Sequence, residues 1–143
     1  MKSNREHWER DSLYRMRAYR LACDLFDDCW DDSEKLGRHP VTVKTAGQLY
    51  RAVGSIKANL ADGYSRSSGR DRVRLYEYAL SSARESMVWY DGSPKVLGQE
   101  VVRARVQILE EIRRLLLATI PRERDRLIRP TQRKNTPKET DAD

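Results

Sequence analysis

The segment from Gln48 to Gly63 (QLYRAVGSIKANLADG) constrains the fold of this chain more than any other. Its large apolar residues Leu49, Val53, Ile56 and Leu60 are separated by four, three and four positions. That spacing places them on one side of an α-helix, which must be buried against other elements. An arginine-rich turn, YSRSSGR, follows directly. A helix that buries one side and ends in a basic turn is typical of a scaffold that presents positive charge.

Three other segments have the same helical periodicity, and neither strand patterns nor internal repeats interrupt them. The predicted helices are Ser12 to Ser33, Val43 to Asp62, a third from the N-cap Ser68 to near Gly92, and Gln99 to Ile120. Short connections between four amphipathic helices predict an all-α fold, an antiparallel up-down-up-down four-helix bundle. The acidic end of helix one opposes the helix macrodipole, so we expect it to contact basic groups.

The predicted domain organisation has three parts. Residues 1–11 form an N-terminal extension, residues 12–121 the bundle, and residues 122–143 a basic, largely disordered C-terminal tail. The first residues of the tail can extend helix four raggedly to Arg129. Gly63 suits a left-handed position just beyond helix two. Gly54, inside that helix, costs about 1 kcal/mol relative to alanine, which close approach of a neighbouring helix would explain.

Composition excludes several classes of function. Cys23 and Cys29, with His7 and His39, form no metal-binding pattern, and no paired carboxylates or catalytic triad can be assembled. The chain is therefore predicted not to be an enzyme and to need no cofactor. Because no apolar run approaches the roughly 20 residues that cross a bilayer, we expect a cytoplasmic protein without a membrane partner.

The excess of positive charge is carried mainly by arginine. The chain has 21 arginines and 7 lysines, with a formal net charge of +6. Arginine binds phosphate in a bidentate manner, so nucleic acid is a predicted partner. The candidate nucleic-acid-binding residues are Arg66, Arg70, Arg72, Arg74, Arg103, Arg105, Arg113, Arg114, Arg122, Arg124, Arg126 and Arg129. We expect the connection after helix two to lie near the start of helix four, with residues 122–129 at the opposite end. The arginines then form either two basic regions or one stripe that joins them through Arg113 and Arg114. The alternative is a solvated surface with excess charge.

Further residues lie outside the main apolar stripes. The candidate oligomer interface comprises Leu75, Tyr78, Trp89, Leu115 and Leu117, since contiguous apolar surface usually marks a protein contact. The alternative is that these residues widen the core of one chain. The candidate structural polar residues are Arg51, Asn59 and Glu85, interpreted as a buried hydrogen-bonded group that fixes helix register. The alternative for them is a functional site.

The segments QLYRAVGSIKANLADG, YSRSSGR and LYEYALSSARES (Leu75 to Ser86) together resemble a known family. They are similar to the small four-helix bundle proteins encoded in intervening sequences of bacterial large-subunit ribosomal RNA genes. The matching positions are Gln48, Leu49, Arg51, Ala52, Ser55, Ile56, Asn59, Ala61, Gly63 and Glu85. The chain departs from the family pattern at Lys57, where proline is usual, and at Asp62, where glutamate is usual. It also departs at Gly92-Ser93-Pro94, a break that shortens helix three.

This resemblance implies a ring-like homopentamer with a positively charged surface and no enzymatic activity. It also implies a relation to the accessory proteins of diversity-generating retroelements, which partner a reverse transcriptase and bind nucleic acid. The first hypothesis is thus a non-enzymatic oligomeric bundle. It would bind the RNA or DNA backbone as an accessory or scaffold protein of a ribonucleoprotein or reverse-transcriptase system. The alternative is an adaptor that docks a reverse transcriptase or another protein and has no nucleic-acid function of its own.

Overall fold

The computed structural model describes residue 6 and residues 10–134, with side chains through residue 125. A short 3-10 helix, Ser12–Arg15, precedes five α-helices: α1 (Arg17–Gly37), α2 (Val43–Tyr64), α3 (Gly69–Asp91), α4 (Pro94–Leu97) and α5 (Gln99–Lys134). The described residues include no strand, so the predicted all-α class is confirmed. None of the helices within these residues is both long enough and apolar enough to span a membrane.

The four long helices pack in a cycle. α1 contacts α2, α2 contacts α3, α3 contacts α5, and α5 contacts α1. Side-chain contacts give their directions. Asp32 near the end of α1 binds Arg105 near the start of α5, and Arg72 near the start of α3 binds Glu123 of α5. α5 therefore runs antiparallel to both α1 and α3.

The apolar stripe of α2 forms the centre of the core. Leu49, Val53, Ile56 and Leu60 are all fully buried, as their spacing predicts. The buried residues of α1 are Ala18, Tyr19, Ala22, Cys23, Leu25, Cys29, Asp32 and Leu36. A helix that packs against two neighbours, here α2 and α5, buries more than one line of side chains.

The two glycines of α2 that lie against other helices allow close packing. A Cβ atom at Gly54 would lie 3.0 Å from Cε2 of Phe26 in α1, so the predicted close approach is confirmed. The prediction for Gly63 is wrong. Gly63 lies inside α2, is buried and has no positive φ, and α2 continues to Tyr64. Its Cβ would lie 2.8 Å from Cε1 of Tyr76, so glycine is needed there for contact with α3.

Replacing Gly63 by alanine should destabilise the protein, because the new methyl group would overlap the Tyr76 ring. We expect a loss of about 1–3 kcal/mol in the free energy of unfolding, measured in urea. Gly47→Ala is the matched control in the same helix, because the site is exposed and nothing lies within 4 Å of the position that a Cβ atom would take there. The control should gain about 0.5–1 kcal/mol from helix propensity. Equal effects of the two substitutions would refute this role for Gly63.

The last helix is longer than its sequence predicts. α5 passes through Pro121 and continues to Lys134, although proline removes a backbone hydrogen bond and normally ends or kinks a helix. Beyond the proline, Glu123 is buried against Arg72, and Arg124 pairs with Glu77, so contacts with α3 hold the next turn. Residues 122–134 are therefore helical. The predicted extension of helix four to Arg129 is confirmed, and the tail that was predicted to be largely disordered is helical as far as Lys134. Residues 135–143 of that tail lie outside the described residues, as do most of residues 1–11.

Candidate nucleic-acid interface

Three segments that are distant in sequence meet at one end of the molecule. The Tyr64 hydroxyl at the end of α2 donates to Oγ of Ser12, 2.8 Å away, which joins α2 to the segment before α1. Nε of Arg72 at the start of α3 donates to Oε2 of Glu123 in α5 at 2.9 Å. We call this region the basic end: residues 12–17, residues 62–77 and residues 119–125.

The position of the α5 arginines corrects one prediction. Residues 122–129 were expected at the end opposite the α2–α3 connection, but Glu123 and Arg124 bind Arg72 and Glu77 of α3. The physical reason is the antiparallel order of the helices. α3 leads away from the α2–α3 connection and α5 returns, so the second half of α5 lies beside the start of α3. The two predicted basic regions thus form one.

Hydrogen bonds within the α2–α3 connection fix its shape. Oγ of Ser68 accepts from the backbone N–H of Asp71 at 3.4 Å, so the predicted N-cap of α3 is confirmed. Arg72 donates to the carbonyl oxygens of Arg66, at 2.8 Å, and Ser67, at 3.1 Å. Since the same guanidinium also binds the buried Glu123, Arg72 braces the connection instead of standing free as a surface cation.

The other arginines of the basic end are exposed. Arg66 pairs with Asp62 at 3.0 Å, Arg74 pairs with Asp71 at 3.7 Å, and Arg124 pairs with Glu77. Exposed ion pairs contribute only about 0–1 kcal/mol, so a phosphate can compete with these carboxylates. Arg70 and Arg122 are exposed and take part in none of the ion pairs found among the described residues. These five residues are the available cations of the α2–α3 connection, the start of α3 and the part of α5 that lies at the basic end.

The remaining candidate arginines lie elsewhere. Arg103 is exposed near the start of α5, at the other end of the molecule, and Arg114 is held by Glu111 at 2.6 Å. Arg113 is half-buried in the middle of α5. The side chains of Arg126 and Arg129 lie outside the described residues, although both positions are within α5. Arg105 is not a surface cation, because it forms an internal ion pair.

That internal ion pair is part of a buried cluster at the end opposite the basic end. We call it the Asp32 cluster, and it consists of Asp32, Tyr90 and Arg105. The Tyr90 hydroxyl and Nε of Arg105 each donate to Oδ2 of Asp32 at 2.7 Å, and Asp32 is only 1% exposed. Burial raises the pKa of the Tyr90 hydroxyl well above its usual range, so this group remains a donor. The hydrogen bond between Arg105 and Asp32 raises the pKa of the Arg105 guanidinium.

The Asp32 cluster joins α1, α3 and α5, and sequence reasoning did not identify it. One signal was present, since the acidic end of α1 was expected to contact basic groups. Arg105 supplies that contact with Asp32 and, at 3.6 Å, with Asp28, which confirms the expectation. The cluster can be explained by a structural role alone, because each of its three polar groups is hydrogen-bonded to another member of the cluster.

The predicted polar group of Arg51, Asn59 and Glu85 is not formed. Nδ2 of Asn59 donates to the carbonyl oxygen and to Oγ of Ser55 in its own helix, at 2.9 and 3.0 Å. Glu85 is exposed and accepts from Nε1 of Trp89, and Arg51 is exposed. The polar link between α2 and α3 is instead made by the hydroxyls of Ser82 and Ser55, 3.0 Å apart.

The candidate oligomer residues divide by exposure. Leu75 is 6% exposed and lies against Gly63, so it is a core residue of the single chain. Its assignment to the oligomer interface is therefore wrong. Trp89 and Leu115 are partly buried against the core. Tyr78 and Leu117 are about half exposed, so both remain available to a partner.

Comparison with known proteins gives one match. A model of the family described as 23S rRNA-intervening sequence protein matches residues 14–118. This range covers α1 to α4 and the first part of α5, includes the arginine-rich α2–α3 connection and ends just before Pro121. No curated protein and no solved structure matches the chain. The resemblance seen in the helix-two segment is therefore confirmed over most of the sequence.

Proposed function

The chain belongs to the 23S rRNA-intervening sequence protein family, and from this premise we propose that it is a non-enzymatic, cytoplasmic four-helix bundle that binds RNA. The basic end is the binding surface in this proposal. The function would be that of an accessory or scaffold protein within a ribonucleoprotein or a reverse-transcriptase system, including one of the diversity-generating type.

One observation carries the proposal: arginines from three separate segments lie at one end of the molecule. The α2–α3 connection contributes Arg66, the start of α3 contributes Arg70 and Arg74, and α5 contributes Arg122 and Arg124. Arg15 and Arg17 beside the start of α1 add two further exposed positive charges. A group of exposed guanidinium groups on a braced backbone attracts a phosphate chain and displaces its counterions.

The same geometry favours contacts with the nucleic-acid backbone over reading of base sequence. The exposed arginines are spread over a connection and two helix surfaces. Such contacts position a nucleic acid without specifying its sequence. We therefore expect binding that tolerates changes in RNA sequence.

Self-association is a second part of the proposal. Tyr78 and Leu117 are exposed on α3 and α5, and Val88 of α3 is exposed as well. Apolar surface of this kind supports contact between copies, and the family resemblance implies a ring-like homopentamer. A ring would bring several basic ends together. The mass in solution tests this part, because a pentamer has five times the 16.7 kDa of the chain.

An adaptor function remains the second candidate because of an aromatic cluster away from the basic end. The Phe26 and Tyr50 rings stack with centroids 4.6 Å apart, and Trp30 packs edge-on against Tyr50 at 5.7 Å. Trp30 is 55% exposed, and exposed aromatic groups are common anchors in protein contacts. In this alternative the protein docks a reverse transcriptase or another partner and does not bind nucleic acid itself.

Salt dependence distinguishes these two functions. We expect the affinity for a single-stranded RNA to fall about a hundredfold between ~50 and ~200 mM sodium chloride, because about five phosphate contacts each release about 0.7 of a counterion. Fluorescence anisotropy of a labelled RNA measures the change. Sucrose at matching osmolality is the control and should leave the affinity unchanged. Absence of RNA binding at low salt would contradict the proposal and favour the adaptor.

A further inference from the structure

The basic end contains an open cleft as well as surface arginines. The cleft has a volume of about 560 Å³ and is lined by Met16, Tyr64, Arg72, Tyr76, Thr119 and Glu123. Clefts of about 300–1,000 Å³ are those in which proteins hold small organic ligands. A single nucleoside is within this size range, whereas the stacked core of a duplex is not.

Two features of the cleft suit a flat aromatic group. The first is the Tyr64 ring, which is 38% exposed and is held in place by the hydrogen bond from its hydroxyl to Ser12. A partly exposed tyrosine that is fixed at its far end offers a ready surface on which a base can stack. Met16 adds a polarizable thioether to the same lining.

The second feature is the guanidinium of Arg72. Its bonds to Glu123 and to the carbonyl oxygens of Arg66 and Ser67 fix this planar group in the wall of the cleft. Bases stack on guanidinium planes as well as on aromatic rings. Arg72 therefore contributes to the cleft through its shape, although its charge is already paired.

The surroundings of the cleft supply phosphate-binding groups. Arg66 belongs to the connection that Arg72 braces, Arg70 lies in the first turn of α3, and Arg122 is the residue before Glu123. All three are exposed. A strand that places one base in the cleft would thus have guanidinium groups near the phosphates on either side.

We propose that this cleft accepts one unstacked base of a single-stranded nucleic acid, with Tyr64 as the stacking surface. The inference rests on the proposed RNA binding and specifies single-stranded RNA as the class that is bound. In a duplex each base is paired and stacked, and extruding one requires a few kcal/mol. The protein therefore prefers single strands to duplexes, although both carry the phosphates that the surface arginines bind.

The test compares a ten-nucleotide adenine-rich RNA with a blunt duplex of the same length, by fluorescence anisotropy at ~50 mM salt. We expect tighter binding of the single strand. Tyr64→Ala should weaken that binding by roughly tenfold to a hundredfold, the effect of losing one stacked base, and should leave duplex binding unchanged. Tyr64→Phe keeps the ring and should retain the preference. Val41→Ala removes an exposed apolar side chain outside the cleft and the basic end and is the control.

A second measurement uses the unmodified protein and so does not depend on the folding of a variant. A strand with 2-aminopurine at one position should lose fluorescence on binding, because a stacked fluorophore is quenched. Equal affinity for single strand and duplex, or full affinity of Tyr64→Ala for the single strand, would overturn the base-binding cleft while leaving the basic end as a phosphate-binding surface. Binding of neither RNA would overturn both proposals.

Discussion

Replacing Arg70, Arg74 and Arg122 together by glutamate should weaken RNA binding on the order of a thousandfold at ~50 mM salt. Each arginine lost removes one phosphate contact, which at this salt concentration is worth about a factor of ten, and each new carboxylate repels the backbone. All three side chains are exposed, and among the described residues only Arg74 takes part in an ion pair, with Asp71. The helices should therefore remain folded, which circular dichroism can verify.

The matched control places the same change of charge away from the basic end. Arg38, Arg51 and Arg103 are also exposed, and one of them, Arg38, also has an ion pair within one turn, with Glu34 at 3.5 Å. Their replacement by glutamate should weaken binding less than about tenfold, through the smaller net charge alone. Equal losses in the two triple variants would mean that total charge, and not the basic end, determines RNA binding.

Replacing Asp32 by alanine should have the largest effect on stability. Arg105 would lose the partner of its shortest ion pair, and the Tyr90 hydroxyl would lose its acceptor inside the core. Removing one partner of a buried ion pair typically destabilises a protein by about 3–5 kcal/mol. Because the total stability of such domains is about 5–15 kcal/mol, the variant should unfold at a much lower urea concentration.

The neighbouring Asp31 provides the control for this prediction. It is an acidic residue of the same helix but is exposed. Asp31→Ala should change the free energy of unfolding by no more than about 0.5 kcal/mol, as usual for surface substitutions. If the two alanine variants unfold at the same urea concentration, the Asp32 cluster does not hold α1, α3 and α5 together.

The helices and their buried faces could be predicted because they depend on local spacing. Leu49 to Leu60 repeat at helical intervals, and Ser68 stands three residues before Asp71, whose N–H it caps. Such signals lie within one or two turns of each other. The start of α2, both ends of α3 and the all-α class follow from them.

The features that could not be predicted depend on residues distant in sequence. Five aspartates lie near the end of α1, and which of them is buried depends on where Tyr90 and Arg105 are placed, 58 and 73 positions away. The helix beyond Pro121 was predicted only as a ragged extension, but Glu123 is held by Arg72, 51 positions earlier. Neither contact has a local signal in the sequence. The need for glycine at Gly54 and Gly63 likewise depends on Phe26 and Tyr76, which lie in other helices.

The candidate interface was predicted in composition but not in arrangement. The arginine-rich turn and the arginines after Pro121 were both identified from the sequence. Their position at the same end of the molecule depends on the directions of the helices. The roles of Arg72 and Arg105 depend on ion-pair partners that are distant in sequence. The residues of the cleft come from the three segments of the basic end, which are distant in sequence, so no sequence motif could reveal it.

The most direct test of the central claim is the slope of binding affinity against salt concentration, both on logarithmic scales, for the wild-type protein and two neutral triple variants. If the basic end binds phosphates, replacing Arg70, Arg74 and Arg122 by alanine should reduce the steepness of the slope by about 2, since each lost contact with a single strand removes about 0.7. Replacing Arg38, Arg51 and Arg103 by alanine should leave the slope unchanged. An unchanged slope in the first variant, or an equal reduction in both, would contradict RNA binding by the basic end.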